Sequence, residues 1–548
     1  MCFPSRPSDR EAPDGAGEPG ERESLLGQQL SKDDAKKKQN TRKRNWLISG
    51  ATTAVLAGYY FLRSAHSTAA APQALQNCLS KICAGRDDCV HYDGPGAFNY
   101  YTQWMRPLNL AVDVTPVAVI RPRNAEEVSA VVKCAAQNNI KVQAKSGGHS
   151  YANYGLGGED GAISVDLVNF QYVWVNTTAD SWQAHIGAGG RLGDIDDELH
   201  KYGRAFAHGV CPGVGIGGHA TIGGLGPMSR LWGSALDHIE EVEVVTADGS
   251  ILRASTTQNS DLFFALRGAA AGFGIITEFV MRTHPEPPSV IQYTYNFQFS
   301  RLLEMVDFFE AWQNLIADPK LDRRLGTEFT LYPLGARVTA TWYGTEAEFT
   351  KSGIMDRLPS GNDTIAINEE TWFGSLLKDA QREALRLGDI PNPFYSKSLG
   401  LTRNDLLSRK DIIDLFDWVD NANKGTLAWF IIFDATGGKM TDTPTDATAY
   451  AHRDKVYFYQ SYAINVLNVT STTRAFISDF HENLLQKIPG KGPHGTYPGY
   501  IDPALGDGPA QREYWMSNLP RLEEIKAKWD PKDVFHNPQS VRPKKAKA

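Results

Sequence analysis

The sequence predicts an α+β fold in two lobes, and three patterns lead to this prediction. Strand and helix patterns alternate between about residues 117 and 145, a glycine-rich stretch follows at 210–226, and amphipathic helices mixed with strands occupy 290–495. A chain of 548 residues with 42% hydrophobic residues is long enough to bury two cores. We therefore expect an α/β lobe followed by an α+β lobe with an antiparallel sheet.

The first lobe is predicted from a strand, helix, strand order. VAVIRP reads as a strand, Asn124 and Glu127 form a capping arrangement for a helix over 125–138, and IKVQAK reads as a second strand. Farther on, Asp248-Gly249 stands between alternating apolar runs, which predicts a hairpin.

The second lobe is predicted to begin after the proline-rich stretch THPEPPSV at 283–290. RLLEMVDFFEAWQNLI has the period of an amphipathic helix, while RVTATWYG and KVYFYQSYAI read as strands. Another helix, NLPRLEEIKAKWD, is expected near the end of the chain.

The N-terminal region predicts a membrane anchor. Residues 1–45 are polar and low in aromatic residues, so we expect a disordered cytosolic tail. The run over 46–62, WLISGATTAVLAGYYFL, has no charged residue, follows a cluster of lysines and arginines, and predicts a single span with its tail in the cytosol. A linker over 63–94 follows, and the catalytic part is expected in the lumen or outside the cell.

A cleaved signal peptide is the alternative for the same run. The small residues between Thr68 and Ala71 suit processing, and cleavage would give a secreted protein. Either route exports the catalytic part, and sequons at Asn176, Asn362 and Asn468 are compatible with glycosylation.

Charge and cysteine usage exclude two classes of function. The net charge is −7 and no basic stripe follows the first sixty residues, which argues against nucleic-acid binding. Five cysteines follow the apolar run, an odd number for an oxidising compartment, so at least one is unpaired or modified. No CxxC pair is present among them, and we predict no metal site.

The glycine-rich stretch CPGVGIGGHATIGGLG contains Gly213, Gly215 and Gly218 in the pattern G-x-G-x-x-G, and Asp237 follows near the position of a ribose ligand. A Rossmann site would require a helix after the motif, but 219–236 contains four more glycines and a proline. These glycines instead indicate backbone N–H groups that converge on a phosphate or an extended ligand; a plain surface loop is the alternative.

A second short stretch, KSGGHSYANY at 145–154, puts His149 after two glycines. Glycines beside a ring nitrogen allow a flat ligand to come close, although a histidine of this kind is more often structural.

Together, the two stretches resemble the FAD-linked oxidases of the vanillyl-alcohol oxidase superfamily, in the berberine-bridge-like branch. The likeness to fungal gluco- and chito-oligosaccharide oxidases runs from about Cys78 to Pro543 and includes YGLGGEDGAISVDL, LDHIEEVEVVTADG, FDATGGK and IKAKWDPKDVFHNPQSVRP. The resemblance implies a PCMH-type FAD-binding domain over 95–285, a substrate domain over 286–495, and a segment over 496–548 that returns to the first domain.

The resemblance implies FAD held by two covalent bonds, an 8α-histidyl link from His149 and a 6-S-cysteinyl link from Cys211. It also implies a disulfide between Cys78 and Cys134, which leaves Cys83 and Cys89 as a possible second bridge. Val214 matches a small side chain beside the locus of oxygen reaction, so dioxygen is the expected electron acceptor. The remaining cofactor-binding residues are expected to be Ser146, Gly147, Gly148, Ser150, Gly213, Gly215, Gly217, Gly218, His219, Gly223, Gly224 and Ile276.

For catalysis, the resemblance implies Tyr500 of YPGYIDP as the residue that removes a hydroxyl proton and Asp434 of FDATGGK as its partner carboxylate. Tyr497 is a weaker candidate and would lie on the opposite face from Tyr500 if the segment were a strand. Relatives commonly have Asn where this chain has Gly499, which removes a hydrogen-bonding side chain near the site.

The leading functional hypothesis is an oxidase that takes a hydride from a substrate hydroxyl, at C1 of an oligosaccharide, and passes the electrons to dioxygen with release of hydrogen peroxide. The alternative is a tailoring oxidase or oxidative cyclase acting on a small secondary metabolite. A third hypothesis, a binding protein with a relic flavin site, conflicts with the presence of His149, Cys211, Asp434 and Tyr500. Fold kinship alone does not choose between the first two.

Overall fold

The computed structural model describes residues 71–94, 99–177, 182–298, 301–358, 366–385, 390–490 and 492–544. The helices are α1 (Gln73–Cys83), α2 (Ala125–Gln137), α3 (Leu192–His200), α4 (Ile216–His219), α5 (Ser229–Trp232), α6 (Ser260–Ala269), α7 (Leu302–Ala317), α8 (Glu346–Lys351), α9 (Trp372–Leu385), α10 (Arg409–Asn421), α11 (Ser471–Lys487), α12 (Asp507–Trp515) and α13 (Leu519–Trp529). The strands of the first half are β1 (Val90–Tyr92), β2 (Ala118–Ile120), β3 (Val142–Lys145), β4 (Ile163–Asp166), β5 (Val173–Asn176), β6 (Gln183–Gly187), β7 (Arg204–Ala205), β8 (Ile239–Val245), β9 (Ile251–Ser255), β10 (Ile275–Arg282) and β11 (His284–Pro285). Those of the second half are β12 (Val290–Gln298), β13 (Leu325–Tyr332), β14 (Gly335–Tyr343), β15 (Ala366–Glu370), β16 (Phe394–Leu401), β17 (Ala428–Ala435) and β18 (Tyr457–Ile464).

A small parallel arrangement forms around the predicted strand, helix, strand unit. β2 and β3 both pair in parallel with β4, and α2 connects them, as parallel strands require. The Asn124 side chain caps α2 by accepting a hydrogen bond of 2.8 Å from the Glu127 backbone N–H. These elements follow the predicted order, and β3 ends at Lys145, so the loop with His149 starts at its carboxyl end.

A second sheet of the first half has the order β5-β6-β10-β8-β9 and is antiparallel throughout. The predicted hairpin joins β8 to β9, and Gly249 takes the positive φ of +78° that the turn requires. β6 is followed directly by the tight turn 188–190, whose backbone is hydrogen-bonded to the glycine-rich stretch and supports it.

The second half is built on a seven-stranded antiparallel sheet in the order β15-β12-β14-β13-β17-β18-β16. One face is apolar and packs on helices: Phe309 of α7 contacts the rings of Phe329 and Phe433, with centroids 5.0 and 4.9 Å apart. Side chains alternate between the two faces along a strand. Glu328 and Asp434, the sequence neighbours of Phe329 and Phe433, therefore lie on the opposite face and line a cavity.

The C-terminal segment returns to the first half of the chain. Lys526 of α13 is fully buried and donates to the carbonyls of Gly272 and Phe535 and to the Asp530 carboxylate, at 2.7 to 2.8 Å. The Val142 N–H of β3 donates to the Val534 carbonyl at 2.9 Å. The end of the chain is therefore part of the lobe that carries β3.

Two disulfides lie at the start of the described chain. Cys78 pairs with Cys134, which joins α1 to α2, and Cys83 pairs with Cys89. The first pairing confirms the one implied by the resemblance, and the second shows that the remaining two cysteines also form a bridge.

The predicted membrane location is corrected. Within the described residues, no helix combines the length and the apolar character that crossing a membrane requires, which contradicts the single-pass location. The run over 46–62 lies outside the described residues.

Asp237 has a structural role and not the ribose-binding role that the Rossmann pattern would give it. Its carboxylate accepts two hydrogen bonds of 2.8 Å from the guanidinium of Arg453, and it also accepts from the backbone and hydroxyl of Ser234. Burial alone would raise the pKa of Asp237, but Arg453 and the hydrogen bonds outweigh burial and lower it. The pair joins the first lobe to the loop before β18.

We expect Asp237→Asn to lower the free energy of unfolding by about 3 kcal/mol, because Arg453 is 2% exposed and would keep a buried charge. Thermal and denaturant unfolding measure the loss. Since the pKa of Asp237 is depressed, its contribution is present above the ordinary carboxyl pKa and is lost as the pH falls below it.

The matched control is Asp442→Asn, because Asp442 makes the same two-bond pair with Arg323, at 2.8 Å, on the surface. It should cost less than about 1 kcal/mol. Equal losses from both variants would contradict the structural role of the buried pair.

Candidate active site

A cavity of about 420 Å³ lies between the first lobe and the polar face of the seven-stranded sheet. The residues predicted from the sequence that line it are Ser146, Gly147, Gly148, His149, Ser150, Cys211, Val214, Gly215, Gly217, Gly218, His219, Ile276, Asp434 and Tyr500. Gly213, Gly223 and Gly224 do not line it and instead lie behind its wall. The fold thus brings residues that are far apart in the sequence together around one cavity.

The two glycine-containing loops cross with almost no space between their backbones. A Cβ atom added at Gly147 would lie 2.2 Å from the backbone nitrogen of Gly215, and one added at Gly215 would lie 2.0 Å from that of Gly147. Both distances are far below any real Cβ contact, so only glycine fits at the crossing. The crossing places the His149 loop and the Cys211 loop side by side.

Neighbouring polar groups fix this crossing. The Ser146 hydroxyl donates to the Ala188 carbonyl at 2.6 Å and accepts from the Gly217 N–H at 3.3 Å. Arg191 donates from Nη1 to the Gly213 carbonyl at 2.9 Å. Gly213 therefore supports the loop through its backbone. The G-x-G-x-x-G pattern opens only the single turn of α4, in agreement with the rejection of a Rossmann site.

Cys211 begins a turn in which the Val214 N–H donates to its carbonyl at 3.2 Å. It belongs to neither disulfide and is partly exposed at the cavity. His149 and Cys211 therefore reach the same cavity from two loops, an arrangement in which one flat ring between them could be bonded by both.

His219 lies behind the same loop and is held as a neutral ring. Its Nε2 atom accepts a hydrogen bond of 2.9 Å from the Gly209 N–H, so the ring proton is assigned to Nδ1. Burial, with the nearby His208 and His149, lowers the pKa of His219 to about 3. His219 thus lines the cavity as an uncharged ring.

Tyr497 supports the second pair of glycines. Its hydroxyl accepts from the Gly224 N–H at 2.8 Å and more weakly from the Leu225 N–H at 3.4 Å. Burial raises the pKa of Tyr497 to about 12, although these two N–H groups act in the opposite direction. The phenol therefore stays neutral and holds the loop behind the cavity.

Tyr497 and Tyr500 lie in a turn and not in a strand. The Tyr500 N–H donates to the Tyr497 carbonyl at 2.9 Å, and the two rings meet edge to face with centroids 5.0 Å apart. Pro498 and Gly499 form the middle of this turn. A Cβ atom at Gly499 would lie 2.3 Å from the Tyr497 ring, so the absence of a side chain allows the two rings to pack.

Tyr500 and Asp434 form the polar pair at the cavity. The Tyr500 hydroxyl donates to Oδ2 of Asp434 at 3.0 Å. Burial is the main cause that raises the pKa of Tyr500 well above its ordinary value, and the Asp434 carboxylate raises it further. The resting side chain is therefore a neutral phenol whose proton already points at a carboxylate.

Among the cavity residues that were not found from the sequence are Tyr151, Gln460 and Glu328. Tyr151 stacks near Tyr500 with centroids 6.3 Å apart, and its hydroxyl donates to the Gln460 side chain at 3.2 Å. Glu328 lies directly opposite Asp434 on the neighbouring strand. The available signal for Tyr151 was its position two residues after His149. Gln460 and Glu328 had no such signal, because the pairing register of the strands places them at the cavity.

The residues present fit a flat, extended cofactor. The cavity wall is rich in glycines, and the crossing at Gly147 and Gly215 keeps both loops free of side chains where a ligand backbone could approach. The Cys211 thiol and the His149 imidazole line the same cavity as Tyr500 and Asp434. No group of side chains that could hold a metal ion occurs in the part of the chain that the structure describes.

Comparison with known proteins decides the family. The model for "FAD binding domain" matches residues 116–255, and the model for "Berberine and berberine like" matches 496–542. The FAD-linked oxidoreductase sorD of Penicillium rubens is 36% identical over 86% of this chain and 99% of its own length. The chain belongs to the berberine-bridge-like family of FAD-linked oxidoreductases. The predicted family, cofactor FAD and enzyme class are confirmed.

Two solved structures agree with this assignment. Xylooligosaccharide oxidase from Myceliophthora thermophila, in complex with xylobiose, is 31% identical over 86% of this chain and 100% of its own, with a TM-score of 0.77. Glucooligosaccharide oxidase from Acremonium strictum is 31% identical over 86% and 99%, also with a TM-score of 0.77. Its flavin is a 6-S-cysteinyl, 8α-N1-histidyl FAD. The PCMH-type α+β fold is therefore confirmed for this family member.

We expect Gly215→Ala to reduce the FAD bound per chain about tenfold or more, because its Cβ would overlap the Gly147 backbone, where nothing flexible can move away. The flavin absorbance per protein, measured on the purified chain, gives the loss. Gly508→Ala is the control, since its Cβ would meet only the end of the Arg512 side chain, at 3.4 Å. An alanine at 215 that leaves flavin content unchanged would contradict the crossing.

Proposed function

We propose that this protein oxidises a substrate hydroxyl, at C1 of an oligosaccharide, with FAD bonded to His149 and Cys211 and with dioxygen as the final electron acceptor. The observation that carries the proposal is the Tyr500 hydroxyl, 3.0 Å from the Asp434 carboxylate, in the cavity that His149 and Cys211 also line. FAD, when bound, supplies the acceptor for a hydride from the substrate carbon.

Tyr500 is proposed as the group that takes the hydroxyl proton of the substrate. Its pKa lies well above the ordinary value, so a phenolate is not available at neutral pH. The phenol can accept a proton only if it gives up its own at the same time. Asp434 is aligned to receive that proton, and the pair therefore acts as a proton path with two linked transfers.

The sugar substrate is proposed from the relatives and from the polar lining of the cavity. The two solved relatives are named as oxidases of xylo- and gluco-oligosaccharides. In this chain, Tyr151 offers an aromatic ring beside Tyr500, and Gln460 and Glu328 offer polar groups from the sheet. Sugar rings are bound by this combination of an aromatic face and hydrogen-bonding groups.

Dioxygen is proposed as the electron acceptor because the wall beside Cys211 is formed by a small side chain. Val214 lines the cavity three residues after Cys211, and the resemblance implies that a small side chain at this position lies beside the locus of oxygen reaction. Reoxidation by dioxygen would release hydrogen peroxide.

A small apolar metabolite is the second candidate substrate. Ile432 lies on the same strand and the same face as Asp434 and lines the cavity with an aliphatic side chain. Phe430, two residues farther along that face, contacts the ring of Tyr462 with centroids 5.2 Å apart. The FAD-linked oxidoreductase sorD, which carries no sugar in its name, is among the relatives.

The two substrate classes are separated by hydrogen peroxide release in air. The purified protein is offered cello-, malto-, xylo- and chito-oligosaccharides, with aryl and allyl alcohols as the second series. Peroxide from any sugar with a free C1 hydroxyl supports the proposal, and loss of that signal when C1 is blocked as a methyl glycoside identifies the oxidised position. Silence with every sugar, together with a reducible flavin, would favour the small metabolite.

We expect Asp434→Asn to slow flavin reduction about 100-fold or more at neutral pH, because the amide keeps the hydrogen bond but cannot take the proton. Stopped-flow bleaching of the flavin without oxygen measures this step alone. Because the pKa of Tyr500 is raised, the rate of the variant should still be rising at pH 10, where a phenolate begins to form.

Asp442→Asn, which removes a surface carboxylate outside the cavity, is the control and should reduce its flavin at the wild-type rate. Unchanged reduction in Asp434→Asn would exclude the proton path through this carboxylate.

A further inference from the structure

His208 is a buried histidine that the proposed reaction does not use. Its side chain is held between two acceptors: Nε2 lies 2.8 Å from Oδ1 of Asp196 on α3, and Nδ1 lies 2.8 Å from the carbonyl of Gly209. The residue is 6% exposed and lies in a small pocket beside the main cavity.

The two contacts define the charge of this ring. A carboxylate and a carbonyl both accept hydrogen bonds, so both ring nitrogens must donate, and only the protonated imidazolium has two N–H groups. Burial disfavours that charge, but the Asp196 carboxylate and the Gly209 carbonyl outweigh burial and raise the pKa of His208. His208 is therefore an imidazolium paired with Asp196, and it is enclosed in the small pocket beside the main cavity.

The same segment carries Cys211. The Gly209 N–H donates to His219, and a Cβ atom at Gly226 would lie 1.8 Å from the His208 carbonyl oxygen, so the backbone at 208–209 is enclosed on both sides. Cys211 follows His208 by three residues and faces the cavity. The Asp196 contact thus ties α3 to the start of the Cys211 loop.

We propose that His208, held by Asp196, is a positioning residue for cofactor attachment: its enclosed imidazolium fixes the Cys211 loop and favours the thiolate that bonds to the flavin. The inference rests on the proposed link between Cys211 and FAD. Thiolates are favoured beside protonated histidines, and the thiolate is the reactive form of cysteine.

The attachment step balances with dioxygen as the oxidant. The S–H bond of Cys211 and one ring C–H bond of the flavin break, and one S–C bond forms. Two electrons and two protons pass to dioxygen, which becomes hydrogen peroxide. His208 is neither consumed nor bonded in this step.

The test measures the thioether and not the activity. His208→Gln and Asp196→Asn are purified with FAD and denatured in iodoacetamide, and peptide mass spectrometry gives the fraction of Cys211 that is alkylated. A linked Cys211 resists alkylation. His200→Gln is the matched control, because His200 at the end of α3 also pairs with a carboxylate, Glu286 at 2.8 Å, but on the surface.

The pH profile separates a charge effect from a merely structural one. The titratable groups around His208 are Asp196 on α3, His219 behind the loop, and Asp379 of α9, which shares the small pocket. In both variants we expect thioether formation in air to be about tenfold slower at pH 7, because a thiol without a protonated histidine beside it forms less thiolate. At pH 9 the thiol ionises unaided, and formation should recover.

The possible outcomes distinguish failure of the proposed flavin link from failure of the role proposed for His208. A wild-type Cys211 that is fully alkylated removes the proposed flavin link and, with it, this inference. A linked wild type with equally linked variants, or variants that stay unlinked at pH 9, overturns the role of His208 alone. FAD retained through His149 reports folding, and Asp196→Asn, which preserves shape, answers the question if His208→Gln does not fold.

Discussion

The active site depends on the contact between two backbones at Gly147 and Gly215. No side chain fits there, because a Cβ on either residue would lie about 2 Å from the other backbone nitrogen. The contact sets the loop after β3 against the loop before α4, and it is fixed by the Ser146 hydroxyl and by Arg191. Both proposed attachment residues then reach one cavity. The rest of the architecture, from the parallel strands to the returning C-terminal helix, holds these two loops at that distance.

The proposed catalytic pair, Tyr500 and Asp434, reaches the cavity from the opposite side, and its geometry depends on the register of distant strands. Asp434 faces the cavity because strand alternation directs its neighbour Phe433 into the aromatic core against α7. Tyr500 arrives on a turn of the returning C-terminal segment, shaped by Gly499. A shift of β17 by one residue would point Phe433 at the flavin position and bury a carboxylate, so the apolar core also determines where the chemistry occurs.

Features carried by short stretches could be predicted from the sequence, and features made by register could not. The strand, helix, strand unit, the Asp248-Gly249 hairpin and the two glycine-containing loops are local patterns, and each has its expected form. Glu328 and Gln460 enter the site only through pairing between strands. The sequence did not distinguish a turn from a strand at 497–500, because two tyrosines three residues apart occur in either structure. The membrane location was wrong: it rested on a charge-free run near the minimum length for a span and on the lysines and arginines that precede it, and the described residues contain no helix that could cross a membrane.

Several buried titratable groups lie in or beside the cavity, and burial together with their hydrogen-bonding partners determines their protonation states. Tyr500 and Tyr497 stay neutral because burial raises the pKa of each phenol, while His219 stays neutral because burial lowers its own. His208 alone among these four is favoured as a charge, since a carboxylate on α3 faces it. Charge is thus placed behind the loop that bears the thiol, and a neutral phenol beside a carboxylate is placed where a hydroxyl must lose its proton. In the proposed roles, this separation lets one cavity favour a thiolate for attachment and avoid a standing phenolate near the substrate.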